Sequence, residues 1–152
     1  MKKNTIIWVE DRSETVLDEI IFCEMQGFRV EDCATVHGLA QLLREYKDKT
    51  ALVVIDIMLY GVRDLEPVNI KGVYTDDGYK AGWAIIKEFL RANKSEYIDI
   101  PILVVSSRSL GREEKDIISK LAGSKIEFIE KGGPEWKKIF RGYIEELTRK
   151  LS

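Results

Sequence analysis

Cysteine and histidine are scarce in this chain, and each scarcity removes a class of function. Its 152 residues include two cysteines, Cys23 and Cys33, without CxxC spacing. That spacing gives no sign of a cysteine metal site and favours buried free thiols kept reduced in a cytoplasm over a disulfide between the two. The one histidine, His37, rules out a multi-histidine metal centre and is expected on the surface of a helix. There are no internal repeats and no low-complexity tracts. No apolar run approaches the length of a membrane span. The start, MKKNTIIWVEDR, meets Glu10 and Asp11 too early for a signal peptide. An excess of basic charge is missing too: 24 Lys and Arg stand against 26 Asp and Glu, a net charge of −2. Nucleic-acid and membrane-surface partners usually need a basic face, so neither is expected.

What is present is ordinary globular material, 45% hydrophobic and 33% charged. It is long enough for one core and too short for two comfortable ones, so residues 1–152 are read as a single domain. Short aliphatic runs alternate with segments of helical period. Strands are expected at 5–9, 28–33, 51–55, 102–105 and 126–129. Helices are expected at about 13–26, 36–47, 78–92, 111–122 and 134–150. Ser13 and Thr35 are candidate N-caps, and Gly27 is a candidate C-terminal stop. The first helix should turn Val16, Leu17, Ile20, Ile21 and Phe22 inward, and the last Trp136, Phe140, Tyr143 and Leu147. From Met58 to Asp77 no clear period appears. Five strands alternating with five helices, the strands aliphatic throughout, predict an α/β fold with a doubly wound parallel sheet covered on both faces.

Ligands in such folds bind beyond the carboxyl ends of the strands, so the residues there matter most. The first strand ends on Glu10 and Asp11, the third on Asp56, the fourth on Ser106 and Ser107, and the fifth on Glu130 and Lys131. Asp56 directly follows Val53, Val54 and Ile55, a costly place for a carboxylate unless a cation or water meets it. If the first and third strands are neighbours, three carboxylates converge. Like charges that close raise one another's pKa or recruit a cation. An oxygen-only ligand set suits Mg²⁺, which keeps several waters and takes one or two carboxylates plus phosphate oxygens. A hydroxyl from Ser106 and an ammonium from Lys131 complete a set suited to phosphoryl transfer onto Asp56.

The four motifs IIWVEDR, LVVIDIMLYG, PILVVSS and FIEKGGP, in this order across essentially the whole chain, resemble the receiver domain of two-component response regulators, the CheY-like fold. The resemblance implies a flavodoxin-like sheet of order 2-1-3-4-5. It implies that Asp56 accepts a phosphoryl group from a histidine kinase or phosphotransfer protein. Mg²⁺ would be held by Glu10, Asp11, Asp56 and the backbone carbonyl of Met58. Ser106 and Lys131 would meet the phosphoryl group, Phe128 would change rotamer on activation, and Met58 and Arg108 would tune the lifetime of the phosphorylated state. The chain would be a stand-alone cytoplasmic receiver, monomeric or dimerising on phosphorylation. It would catalyse only its own phosphorylation and dephosphorylation, and signal through a face made by helix four, strand five and helix five.

The sequence departs from that family in three places. Lys131 is followed by Gly132-Gly133-Pro134 instead of directly by proline. Tyr60 stands where a proline is expected, four residues after Asp56. An insert of approximately 62–77 enlarges the loop after the third strand. A loop longer than about 12–15 residues is usually functional or disordered. Two other readings remain open at this level. One is a pseudo-receiver that docks without phosphorylation. The other is a Toprim-like metal-dependent phosphotransferase or nuclease, disfavoured because Asp56-Ile57-Met58 lacks a second aspartate.

Overall fold

The computed structural model describes residues 2–107, 110–121 and 125–152. The strands are β1 (Thr5–Val9), β2 (Arg29–Cys33), β3 (Thr50–Ile55), β4 (Ile102–Ser106) and β5 (Ile126–Glu130). They form one sheet in the order β2-β1-β3-β4-β5, and every pairing is parallel. The helices are α1 (Leu17–Met25), α2 (Val36–Glu45), α3 (Ala81–Ile85), α4 (Arg112–Ser119) and α5 (Trp136–Leu151). Parallel strands need a crossover between them, and here each crossover carries a helix.

The two-residue period of the strands sorts their side chains into two layers. Ile7, Val9, Val53, Ile55, Ile102 and Val104 join Leu39 and Leu43 of α2, Ala81 and Ile85 of α3, and Ile118 of α4. Ile6, Trp8, Leu52, Val54, Leu103 and Val105 join Val16, Cys23 of α1, and Phe140 and Ile144 of α5. Both faces of the sheet are thus buried, which is why its central strands carry no polar alternation.

Several local expectations change. Ser13 is no N-cap: it opens a 3-10 turn, Ser13–Val16, and α1 begins only after it. That turn is fastened by Thr15, whose N–H and hydroxyl both donate to the Arg12 carbonyl. Leu17 and Ile21 lie outside, 54% and 45% exposed, while Glu19 and Cys23 are fully buried. Apolar residues cover more than one face of α1, and the sheet takes only the face that runs through Val16 and Cys23. Thr35 does cap α2, accepting from the Gly38 N–H at 3.0 Å. Gly27 ends α1 with φ +99. The third helix starts at Ala81, not at residue 78, and its second half, Ile86–Leu90, is a π-helical turn. In α5 the fully inward positions are Phe140, Ile144 and Leu147, with Trp136 and Tyr143 half-buried. His37 is exposed. No helix of the described residues is long and apolar enough to cross a membrane.

The stretch after β3 is ordered and packed. Leu59, Val62 and Leu65 are buried in the layer shared with α2 and α3. A short 3-10 turn, Glu66–Val68, and a single antiparallel bridge between Asp64 and Tyr74 shape it. The buried Thr75 hydroxyl donates to the Val62 carbonyl and accepts from the Gly78 N–H, closing the segment on itself. Apolar anchors at irregular spacing hold it, so no periodicity announced its order.

Both cysteines are free. Burial, with nearby Glu19 adding to it, pushes the Cys23 thiol from 9.0 up to about 12. A raised thiol pKa adds stability that is complete below the unfolded value. That stability is lost as the pH climbs toward the folded value, because the unfolded thiol ionises first. Folding stability should therefore decline above about pH 9. At about pH 8 a thiol reagent should leave Cys23 unmodified in the native protein while reacting fully with urea-unfolded chain. Rapid labelling of Cys23 in the folded protein would contradict this burial.

Candidate functional site

Sheet order places the ends of β1 and β3 side by side, with Val9 opposite Ile55. The chain continues from each strand into an acid, so Glu10 and Asp56 enter one cleft at the carboxyl edge of the sheet. The Asp56 N–H donates to the Val9 carbonyl at 3.1 Å, carrying the ladder one residue beyond β3. The cleft encloses about 500 Å³, and Glu10, Asp11, Asp56, Met58, Tyr60 and Lys131 are among its lining residues.

Lys131 is the counter-charge. It directly follows β5, and its N–H donates to the Ser106 carbonyl at 2.7 Å. Its Nζ lies 3.5 Å from Glu10 Oε2 and 3.7 Å from Asp56 Oδ2. Glu10 and Asp56 are only 5% and 7% exposed. Burial, and after it the charge of Asp56, raises Glu10 to about 8, with Lys131 offsetting part of the rise. Beside Asp56 and away from water, Glu10 therefore holds its proton more readily than a free carboxyl group does. Two backbone donors fix the acids: the Arg12 N–H to Glu10 Oε1 at 3.1 Å and the Met58 N–H to Asp56 Oδ1 at 3.3 Å.

Asp11 lines the same cleft but is drawn toward its rim, where its Oδ2 accepts from the Tyr60 N–H at 3.1 Å. Among the described residues no three His, Cys, Asp or Glu side chains stand close enough to hold a metal between them. The three acids Glu10, Asp11 and Asp56 nevertheless share one cleft, as expected from the strand ends. It remains compatible with Mg²⁺, which completes an octahedron with carbonyls, phosphate oxygens and water. The donor set present, carboxylate oxygens in excess over one ammonium, fits such a hard cation.

The other expected residues are placed as follows. Ser106, the last residue of β4, is fully buried and does not line the cleft, whereas the exposed Ser107 does. Phe128 sits mid-strand in β5 opposite Val104, half-buried and away from the cleft. Its ring packs 6.1 Å from that of Trp83, with Lys115 Nζ 5.9 Å from its centroid. Arg108 lies outside the described residues. Sequence reasoning missed Trp136 and Lys137, which line the cleft from the first turn of α5. Trp136 read as core, yet its ring lies 6.0 Å from Lys131 Nζ. The signal was its place just after the Lys131-Gly132-Gly133-Pro134 turn. Lys137 reaches from α5 to Asp18 and Glu19 of α1, at 3.8 and 4.0 Å.

No family model and no curated protein matches the chain by sequence. Solved structures do match by shape. A two-component response regulator from Clostridium difficile superposes with a TM-score of 0.64 at 13% identity, covering 98% of this chain and 98% of that one. A response regulator from Thermotoga maritima gives 0.62 at 18%, covering 97% and 98%. The non-phosphorylated HemR receiver domain from Leptospira biflexa gives 0.62 at 22%, covering 96% and 94%. At these identities the likeness is one of fold, and the chain carries the response-regulator receiver fold over nearly its whole length.

Gly82 holds this edge of the molecule together. Its N–H donates to the Ile57 carbonyl at 2.8 Å. A Cβ at Gly82 would collide with the Asp56 carbonyl oxygen and lie 2.7 Å from the Ile57 Cα. Gly82→Ala should therefore push α3 away from the end of β3 and cost about 1–3 kcal/mol in urea unfolding. An unchanged midpoint would show that the approach is not tight.

Proposed function

We propose that this protein is a receiver that takes a phosphoryl group on Asp56 from a histidine kinase or phosphotransfer protein, and that phosphorylation changes which protein it binds. The observation that carries this reading is the Lys131 ammonium poised between Glu10 and Asp56 at the switch point of a receiver-type sheet. The likeness of the fold to response regulators supports it.

In this reading an Asp56 carboxylate oxygen attacks phosphorus in line. A P–O bond to Asp56 forms as the P–N bond of a phosphohistidine breaks, and the imidazole leaves with the electron pair. Asp56 is partly freed for this by the Met58 N–H, which fixes Oδ1 and so orients the carboxylate. Lys131 neutralises charge gathering on the phosphoryl oxygens, acting as a point charge. Glu10, Asp11, Asp56 and the Met58 carbonyl would hold Mg²⁺, which when bound offsets the negative charge of the carboxylates and the phosphoryl group. Ser106, buried at the end of β4 directly before the cleft-lining Ser107, is the hydroxyl we assign to the phosphoryl group.

The acyl phosphate adds roughly two negative charges, and Lys131 is drawn to them. Lys131 N–H is bonded to Ser106 at the β4–β5 edge, so a pull on it is felt there. The adjoining α4–β5–α5 face is the proposed output surface. There Lys115 of α4 stands 3.8 Å from Glu130, and Glu130 also accepts from the Leu110 N–H at 2.9 Å. We assign the protein to the cytoplasm as one domain whose only catalysis is its own phosphorylation and dephosphorylation.

Incubation with acetyl phosphate and Mg²⁺ should add one phosphoryl group to the wild type and none to Asp56→Asn. Lys131→Ala should slow the addition by about 10-fold or more, the loss expected for one preorganised charge. Equal labelling of wild type and Asp56→Asn, or none in either, would overturn the reading.

A further inference from the structure

The position four residues after Asp56 is Tyr60, and only a residue other than proline has an N–H there to give. That N–H is used: it donates to Asp11 Oδ2 at 3.1 Å, joining residues 49 positions apart. We propose that the Tyr60 N–H is a positioning group for Asp11, holding Oδ2 so that Oδ1 is the oxygen offered to a divalent cation, and that it couples cation binding to the insert. This rests on the cation-binding role given to Asp11 above and adds to it a second residue, Tyr60.

The donor sits on built structure. Leu59, directly before it, is fully buried, and Val62, two residues after it, is 2% exposed. The Leu59 N–H donates to the Gly78 carbonyl at 3.0 Å and the Val62 N–H to the Leu59 carbonyl at 3.0 Å. Gly78 has φ +93, and a Cβ there would press on the Leu59 carbonyl, so the two ends of the insert meet at Tyr60. The Thr75 N–H to Arg63 carbonyl bond at 3.1 Å ties its middle. The Tyr60 side chain stacks edge-on against Tyr79, ring centroids 6.5 Å apart, and lines the cleft beside Asp11 and Met58. A rigid donor on a cation-binding carboxylate orients it, and losing such a partner commonly weakens metal binding by about 10–100-fold. By linkage, a cation that needs Asp11 in this orientation must in turn stabilise the Tyr60 contact.

The test uses the full chain with Mg²⁺ alone as probe. Binding is followed by calorimetry and by tryptophan fluorescence, since Trp136 lines the cleft. Tyr60→Ala keeps the N–H and should bind Mg²⁺ within about twofold of wild type, while Tyr60→Pro removes it and should bind about 10-fold more weakly. In wild-type protein Mg²⁺ should slow hydrogen exchange at the Tyr60 amide, an arm that stands even if the proline variant fails to fold. Equal affinity in the two variants, or Tyr60 exchange indifferent to bound Mg²⁺, would overturn the coupling while leaving Asp56 as phosphoryl acceptor. A wild type that binds no Mg²⁺ at all would overturn both this proposal and the cation site.

Discussion

Two carboxyl groups, Glu10 and Asp56, are held almost out of water with the Lys131 ammonium beside both, and the carboxyl edge of the sheet is arranged around these three groups. Burying an ion is costly unless its partners are well placed, and removing one partner of a buried pair leaves the other stranded. The parallel order β2-β1-β3-β4-β5 creates the problem by setting the ends of β1 and β3 together. It also supplies the partial answer, because the chain leaving β5 delivers Lys131 to the same place. In the proposed function a divalent cation would meet these carboxyl groups, and an incoming phosphoryl group would share it.

The rest of the fold fixes that edge in place. The two apolar layers clamp β1 and β3 from both sides, so their ends cannot part. Gly82 lets α3 close against the backbone at Asp56 and Ile57. The segment after β3, long enough to suggest disorder, instead buries Leu59, Val62 and Leu65 and returns at Thr75 and Gly78 to the point where it left. Its outer surface carries the exposed tyrosines Tyr60 and Tyr74. The chain's most individual feature is therefore bound to its most receiver-like one, through the Tyr60 N–H and Asp11.

Much of this was legible in the residues. Aliphatic strands without alternation pointed to a sheet covered on both faces, and the acids and lysine at their ends marked the cleft. Other features depend on contacts that no local pattern encodes. Leu17 and Ile21 share a helical stripe with Ile20, yet the sheet covers a different face of α1 and leaves them exposed. Glu19, a polar residue by type, is fully buried, with Lys137 of α5 4.0 Å away. Trp136 had the spacing of a core residue and lines the cleft, because the Gly132-Gly133 turn sets where α5 begins. The order of the insert was hidden for the same reason. Its anchors are spaced by the surface they fill, not by a helical or strand period.

The central claim is that Asp56, alone among the acids of the cleft, forms the acyl phosphate. Borohydride reduces an aspartyl phosphate to homoserine, and peptide mass spectrometry then places the change on one residue. After exposure to acetyl phosphate and Mg²⁺, the account predicts homoserine at position 56 and unaltered Glu10 and Asp11. Reduction at Glu10 or Asp11, or no reduced residue in a peptide spanning Asp56, would contradict it.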